Sequence, residues 1–219
     1  MAGTNINPTR MELTRLKGRL RTAQRGHKLL KDKRDELMRR FWEIVYRNRE
    51  LRTRVEEGLT KANAAMAVAT AIMSPAFLEQ ALLYPKQRVE LKTRVENLVG
   101  VNVPRYDVQT TIENEAAIYP YGFAQTSGEL DTALGELAQV FRDMLELAEV
   151  EKTMQLLAEE IEKTRRRVNA LEHVMIPEMQ KNIRYIAMKL EENDRSTKIR
   201  LMKVKDMVLE QEYGNKDKH

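Results

Sequence analysis

The chain has no cysteine, which excludes disulfide staples, thiolate nucleophiles and zinc–thiolate sites and fits a reducing compartment such as the cytosol. Proline and glycine are scarce, six and nine among 219 residues, so a fold of many short strands joined by tight turns is excluded. Aromatic residues make up only 5%. Long apolar runs are missing too. The longest uncharged stretch, residues 62–78, is rich in alanine and broken by Asn63, Ser74 and Pro75, whereas a spanning helix needs about 20 mostly apolar residues. The first 30 residues are dense in Lys and Arg and hold no apolar run of signal-peptide type. No membrane span and no export signal are expected.

Leu, Ala, Met, Glu, Lys and Arg dominate instead, with 42% apolar and 32% charged residues, the composition of long helices that bury one narrow stripe. The net charge of +5 conceals a pattern. Residues 1–54 carry +10, 55–128 carry −2, 129–162 carry −8, 163–194 carry +2 and 195–219 carry +3. If the chain folds back on itself, the basic ends meet at one pole (+15) and the acidic middle forms the other (−10).

Asn7 before Pro8, with Thr9 three residues ahead of Glu12, reads as a cap, a first-turn proline and a capping box. From there a seam recurs at 3–4 spacing: Leu13, Leu16, Leu20, Ala23, His27, Leu30, Arg34, Leu37, Phe41, Ile44, Asn48, Leu51, Val55. It continues through Gly58, Ala62, Ala65, Ala69 and Ile72, small side chains that let a partner backbone come close. This is coiled-coil periodicity, and a helix from residue 9 to 73 would be roughly 95 Å long. A second periodic stretch opens at Thr126 with Glu129 three residues on and runs to about Glu212. Its seam holds Met154, Leu157, Ile161, Thr164, Val168, Leu171 and Met175, then slips in phase at Pro177 and resumes with Met179, Ile183, Ile186, Leu190, Leu201, Val204 and Val208. Pro177 has no amide hydrogen for the His173 carbonyl, so a kink or local unwinding is expected there.

Four of the six prolines lie between Pro75 and Pro120. Ser74-Pro75 predicts a short helix ending before Tyr84-Pro85. Val89, Leu91, Thr93 and Val95 alternate, as do Val99, Val101 and Val103, which predicts a β-hairpin turning around residues 96–98. A lone hairpin is marginal, so this valine face should lean on the coiled coil or on another subunit. The expected organisation is mainly α: a long antiparallel two-helix coiled coil with a first shaft helix (1–73), an insert with short helix and β-hairpin (74–126), a second shaft helix kinked near Pro177 (127–212) and a polar tail (213–219). If facing residues sum to about 212, the seam interruptions pair as Arg34 with Glu178 and Asn48 with Thr164, as buried polar groups require.

No phosphate loop, dinucleotide turn or zinc-helix motif occurs, and the three Ser residues have no nearby His. Neither cofactor nor catalytic residues are expected. His27 and His173 can approach across the seam, but two imidazoles without a third ligand make a poor metal site. Arg165-Arg166-Arg167 and the basic block from Arg10 to Arg54 invite a nucleic-acid reading, opposed by the absence of a stacking platform and by the acidic middle. Composition and periodicity alone support an antiparallel coiled-coil interaction protein. A free-standing scaffold or tether and a nucleic-acid-binding rod stay open at this point.

Longer strings are more specific than a heptad. NPTRMELTRLK (Asn7 to Lys17), RGHKLLKDKRDEL (Arg25 to Leu37), AEVEKTMQLLAEEIEKTRRRVNALE (Ala148 to Glu172), the Ile176-Pro177 break and KLEEN (Lys189 to Asn193) resemble, in the same order, the prokaryotic D-subunit family of V-type and archaeal-type rotary ATPases. Departures concentrate in residues 75–127 and after Glu212. The resemblance implies a central rotor shaft at the cytoplasmic side of the membrane. It implies three partners: a hexamer of catalytic and nucleotide-binding subunits around the paired terminal helices, a small F subunit on the lower shaft, and an adaptor on the membrane ring. On that reading Arg10, Arg15, Lys17, Arg19, Arg21 and Arg25, with Lys198, Arg200, Lys203 and Lys205, are the hexamer-facing candidates. Leu13, Leu16, Leu20, Leu30, Leu37, Phe41, Ile44, Leu51, Val55, Ile161, Val168 and Leu171 form the stiff seam. The hairpin and the acidic stretch from Glu129 to Glu162 are candidates for contact with the F subunit and the adaptor.

Overall fold

The computed structural model describes residues 7–84, 88–110, 119–122 and 126–216; Pro85 and the end of the polar tail, 217–219, lie outside them. The elements are α1 (Arg10–Ile72), α2 (Pro75–Leu82), β1 (Val89–Leu98), β2 (Val101–Thr110), α3 (Gly128–Ala170), a π-helical turn (Leu171–Met175) and α4 (Ile176–Lys216). The mainly helical class with a short helix and an antiparallel hairpin in the middle is therefore the observed one. Two units carry these elements: Met1–Asp32 with Thr164–His219, and Lys33–Lys163.

Thr9 caps α1 by accepting the Glu12 amide hydrogen on its hydroxyl at 3.2 Å, so Pro8 precedes the cap and does not enter the first turn. At α3 the cap is Ser127, whose carbonyl accepts the Leu130 amide at 3.1 Å. Thr126 instead bonds back to the Gly122 carbonyl. Ser74 and Pro75 open α2 as their types predict.

The second unit buries a cluster of Leu37, Leu157, Val101 and Val103, with Phe41, Ile44, Leu98, Val99, Leu156 and Ile161 packed around it. A second cluster joins Ala69, Met73 and Leu130 to Met66, Leu78, Ala81, Tyr121 and Leu134. Between them the small-residue seam lets α1 and α3 close up. A Cβ built on Gly58 would lie 2.2 Å from Val140 Cγ2, a distance no real pair of atoms tolerates. Leu51 and Val55 are buried beside this stretch of sequence.

In the first unit Leu16, Val168 and Ile186 are buried, and Leu13, Leu20, Leu30 and Leu171 are half-buried. The π-helical turn gives the phase slip its physical form. The Ile176 amide donates five residues back to the Leu171 carbonyl, so one extra residue enters the turn and the next residue, Pro177, takes its place without the bond it cannot make.

The helix register differs from the expected one. In the second unit Lys33 donates to Glu160 at 3.1 Å and Arg47 to Glu146, where a sum of 212 would set them opposite Met179 and Arg165. In the first unit Arg10 donates to Asp194 at 3.1 Å, and His27 Nε2 and Glu172 Oε2 lie 3.2 Å apart, where the same rule points to Met202 and Tyr185. Arg34 directs its charged hydrogen bonds to Asp35. Asn48 and Thr164 are both buried, and among the described residues Asn48 Nδ2 and Thr164 Oγ1 have no hydrogen-bond partner. A heptad seam repeats under a slip of one repeat, so apolar periodicity alone does not select the register.

Gly58→Ala should lower the melting temperature, since overpacking costs about 1–3 kcal/mol against a helix-propensity gain of at most about 1. Gly18→Ala, with nothing within 4 Å of its new methyl, should raise it. Thermal unfolding checks both; Gly58→Ala as stable as Gly18→Ala would mean the close approach is absent.

Candidate functional site

In the second unit the hairpin is mounted on α1 and α3 by its tip and one edge. The turn consists of Val99 and Gly100, with φ of 53° and 81°, and the Gly100 amide donates to Asn97 Oδ1 at 3.0 Å. The turn thus lies beyond residues 96–98, because only glycine among the neighbouring residues takes a positive φ without strain. Val99 holds the left-handed region at a cost of roughly 1–3 kcal/mol, offset by its packing on the Leu37 cluster.

A two-residue turn pairs Leu98 with Val101 and Glu96 with Val103, so odd positions of β1 share a face with even positions of β2. The expected single valine face is consequently divided. Val101 and Val103 point into the core together with Leu98, whereas Val89, Leu91 and Val95 lie on the opposite face with Val108 and are exposed, Val95 at 74%. The inner edge is latched by Glu149 of α3, which accepts the Arg105 guanidinium at 2.6 Å and the Tyr106 amide at 2.7 Å. The hydrogen bonds that the Arg105 guanidinium donates to Glu96 and then to Glu149 hold it above its ordinary pKa.

In the first unit all ten proposed basic residues are exposed. Arg10 is tied to Asp194 and Arg15 to Glu12 at 3.5 Å. Lys198, Arg200, Lys203 and Lys205 lie on α4 beyond Asp194, the residue that Arg10 in the first turn of α1 reaches. Interleaved with them, Ile199, Leu201, Met202, Val204, Met207, Val208 and Leu209 are all exposed. Leu201, Val204 and Val208 are therefore not seam residues among the described contacts: α1 begins too late to cover them. At 3.6 residues per turn this apolar set surrounds the helix. Below it, Met11, Gly18 and Ala23 of α1 face Leu171, Met175 and Met179 across an open groove of about 640 Å³. His27 meets Glu172 in place of His173, and Arg165, Arg166 and Arg167 are exposed.

Among the described residues no three His, Asp or Glu side chains gather as a metal site, and no helix is long and apolar enough to cross a membrane. The surface can hold partners through dispersed cations and apolar side chains. The wraparound apolar character of α4 was legible only in part. Periodicity assigned its residues to a seam, and only the start of α1 shows that the seam has ended.

Paired helical stretches, a latched hairpin and a basic-apolar helix end define a coiled-coil protein with a small β insert and exposed surfaces for partners. The profile of the family described as the ATP synthase D subunit matches residues 12–206. The chain is 57% identical over 218 residues to the V-type ATP synthase D subunit of Acetivibrio thermocellus, covering 100% of this chain and 98% of that protein. It is 55% identical over 219 residues to the protein of the same name from Clostridioides difficile, covering 100% and 98%, and 55% identical over 209 residues to that of Clostridium novyi, covering 95% and 97%. The chain belongs to the V-type ATP synthase D-subunit family.

Glu149→Gln should cost about 1–3 kcal/mol and accelerate amide exchange in β1 and β2, first at Tyr106, leaving α1 protected; hydrogen exchange unchanged in the hairpin would remove the latch. Tyr121 offers a pH test. Burial, then the 2.6 Å hydrogen bond to Asp131 and its charge, push its phenol well above the usual range. A raised folded-state pKa means that this stabilisation is whole below about pH 10, the unfolded value, and is lost as pH rises beyond it. Stability of the wild type should fall more steeply above pH 10 than that of Tyr121→Phe, as measured by urea unfolding.

Proposed function

We propose that the chain is the central rotor shaft of a V-type ATPase, a non-catalytic subunit that couples ATP hydrolysis or synthesis in a catalytic hexamer to rotation of the membrane ion-translocating ring. The observation that carries this reading is the end of α4, where apolar side chains surround a helix that α1 no longer covers. Such a helix is stable when enclosed on all sides. A ring of subunits encloses it; a flat partner does not.

The coupling follows from symmetry. Three catalytic interfaces around one asymmetric helix pair meet three different faces, so rotation changes which site is open, loose or tight, and nucleotide state becomes linked to angle. The exposed cations Arg10, Arg15, Lys17, Arg19, Arg21, Arg25, Lys198, Arg200, Lys203 and Lys205 suit acidic walls. Each contact between exposed charges is weak, about 0–1 kcal/mol, so many can hold the axle in place while any of them exchanges. The outer hairpin face, Val89, Leu91, Val95 and Val108, and the acidic surface of α3 are the sites offered to the small F subunit and the membrane-ring adaptor. On this reading the chain is cytoplasmic and peripheral to the membrane through the complex.

Torque passes through the seam. Polar substitution of Leu37 or Val168, both almost fully buried, or of half-buried Phe41, should cost several kcal/mol and leave ATP hydrolysis running with reduced ion pumping. The complex purified from its native membrane with each variant supplies both rates. Coupling that persists in a variant with a clearly lowered melting temperature overturns the shaft; so does a wild-type chain that never co-purifies with a nucleotide-hydrolysing hexamer.

A further inference from the structure

Sulfur is distributed unevenly in this chain. Cysteine is absent and methionine occurs 12 times, so thioethers are the only side-chain sulfur open to an oxidant. Among the described residues the exposed methionines are Met11, Met175, Met188, Met202 and Met207 in the first unit and Met144 alone in the second. Met73 of the second unit is buried, and Met38, Met66 and Met154 are half-buried. Helix formation does not require sulfur at the exposed positions, where leucine would serve equally well.

The charges around these methionines differ as well. Met11 and Met175 line the open groove of the first unit, whose charged lining residues are Arg15 and Arg19. Met202 follows Arg200 and Leu201 and precedes Lys203. Arg15 has Glu12 at 3.5 Å, whereas Arg19, Arg200 and Lys203 make no ion pair among the described residues. Met207 adjoins Asp206, and Met188 lies one helical turn from Glu191 and Glu192, so these two have carboxylates beside them. Met144 lies within residues 129–162, which carry −8. Met175 is 47% and Met144 40% exposed, so access is nearly equal and the electrostatic setting separates them.

We propose that Met11, Met175 and Met202 form a reversible oxidation site, selective for an anionic peroxy oxidant of the peroxymonocarbonate class, which arises from bicarbonate and hydrogen peroxide. The thioether sulfur attacks the terminal peroxide oxygen. The O–O bond breaks, the S–O bond forms, sulfur gives up an electron pair and bicarbonate leaves, so sulfide and peroxymonocarbonate become sulfoxide and bicarbonate. Cations without a partner raise the local concentration of the anion. Methionine sulfoxide reductases return the sulfoxide to the thioether. Oxidation sets a polar group into apolar surface, so the oxidised chain loses part of the contact that would hold the end of α4. That consequence rests on the shaft reading, in which the site is open before assembly and enclosed afterwards; the selectivity of the site does not.

The full chain treated with hydrogen peroxide, with and without bicarbonate, reports the site through the oxygen each methionine gains, read by peptide mass spectrometry. Bicarbonate should raise the rates of Met11, Met175 and Met202 relative to Met144 about threefold at low salt, the effect of a few nearby charges, and high salt should erase the gain. Arg15→Gln combined with Arg19→Gln should remove the gain at Met175 and keep it at Met202. Reductase treatment should remove the added oxygen. A ratio that bicarbonate does not change, a gain indifferent to salt, or a gain at Met175 that survives the double variant would each overturn the site. The oxidised chain should be retained by the hexamer about tenfold less, as after loss of one anchor, and recover with reductase. Equal retention before and after oxidation removes the consequence for assembly. A reduced chain that never joins the hexamer removes the shaft reading, and the mass pattern decides the site in either case.

Discussion

A helix that is apolar along only one narrow stripe gains little by folding alone and has to find a second helix along its whole length. That constraint underlies the rest of this chain. Leu37, Leu51, Val55, Leu157, Val168 and Ile186 are almost completely buried, while the charged residues between them stay in water. Where the stripe dwindles to alanine and glycine the helices approach until Gly58 touches Val140. Past the beginning of α1, the stripe of α4 has no mate among the described residues and its apolar side chains are exposed.

The hairpin is held by the same seam. Two strands cannot sustain themselves, and these are stabilised by setting Val101 and Val103 into the Leu37–Leu157 cluster while Glu149 accepts hydrogen bonds from the Arg105 guanidinium and the Tyr106 amide. The parity imposed by the Val99-Gly100 turn then turns the remaining valines outward. A stable mount and an exposed apolar face are two consequences of one turn geometry.

The proposed shaft role asks that the chain be firm along its axis and loosely held at its surface. Dry packing in the seam provides firmness, because displaced core atoms cost kilocalories. Dispersed surface cations provide weak holding, because each pair is screened and solvated. The chain divides these two properties between a buried apolar stripe and a basic exterior.

Much of this was legible from residue order. Capping signals at Thr9 and Ser74, the change of period between Val89 and Val103, and the phase slip at Pro177 each depend on neighbours in the chain, and local chemistry suffices to interpret them. The strings around Asn7, Arg25 and Ala148 carried the family. Sequence alone therefore determined that the chain makes long helices with one apolar stripe, a hairpin between them and a discontinuity before Pro177. Tertiary structure decided which turn of one helix faces which turn of the other, which valines of the hairpin go inward, and where the stripe of α4 runs out of partner. The reason is that heptads and β-alternation repeat: a slip by one period leaves the local pattern intact. Only long-range contacts such as Lys33 with Glu160, Arg10 with Asp194 and Arg105 with Glu149 distinguish one alignment from the next.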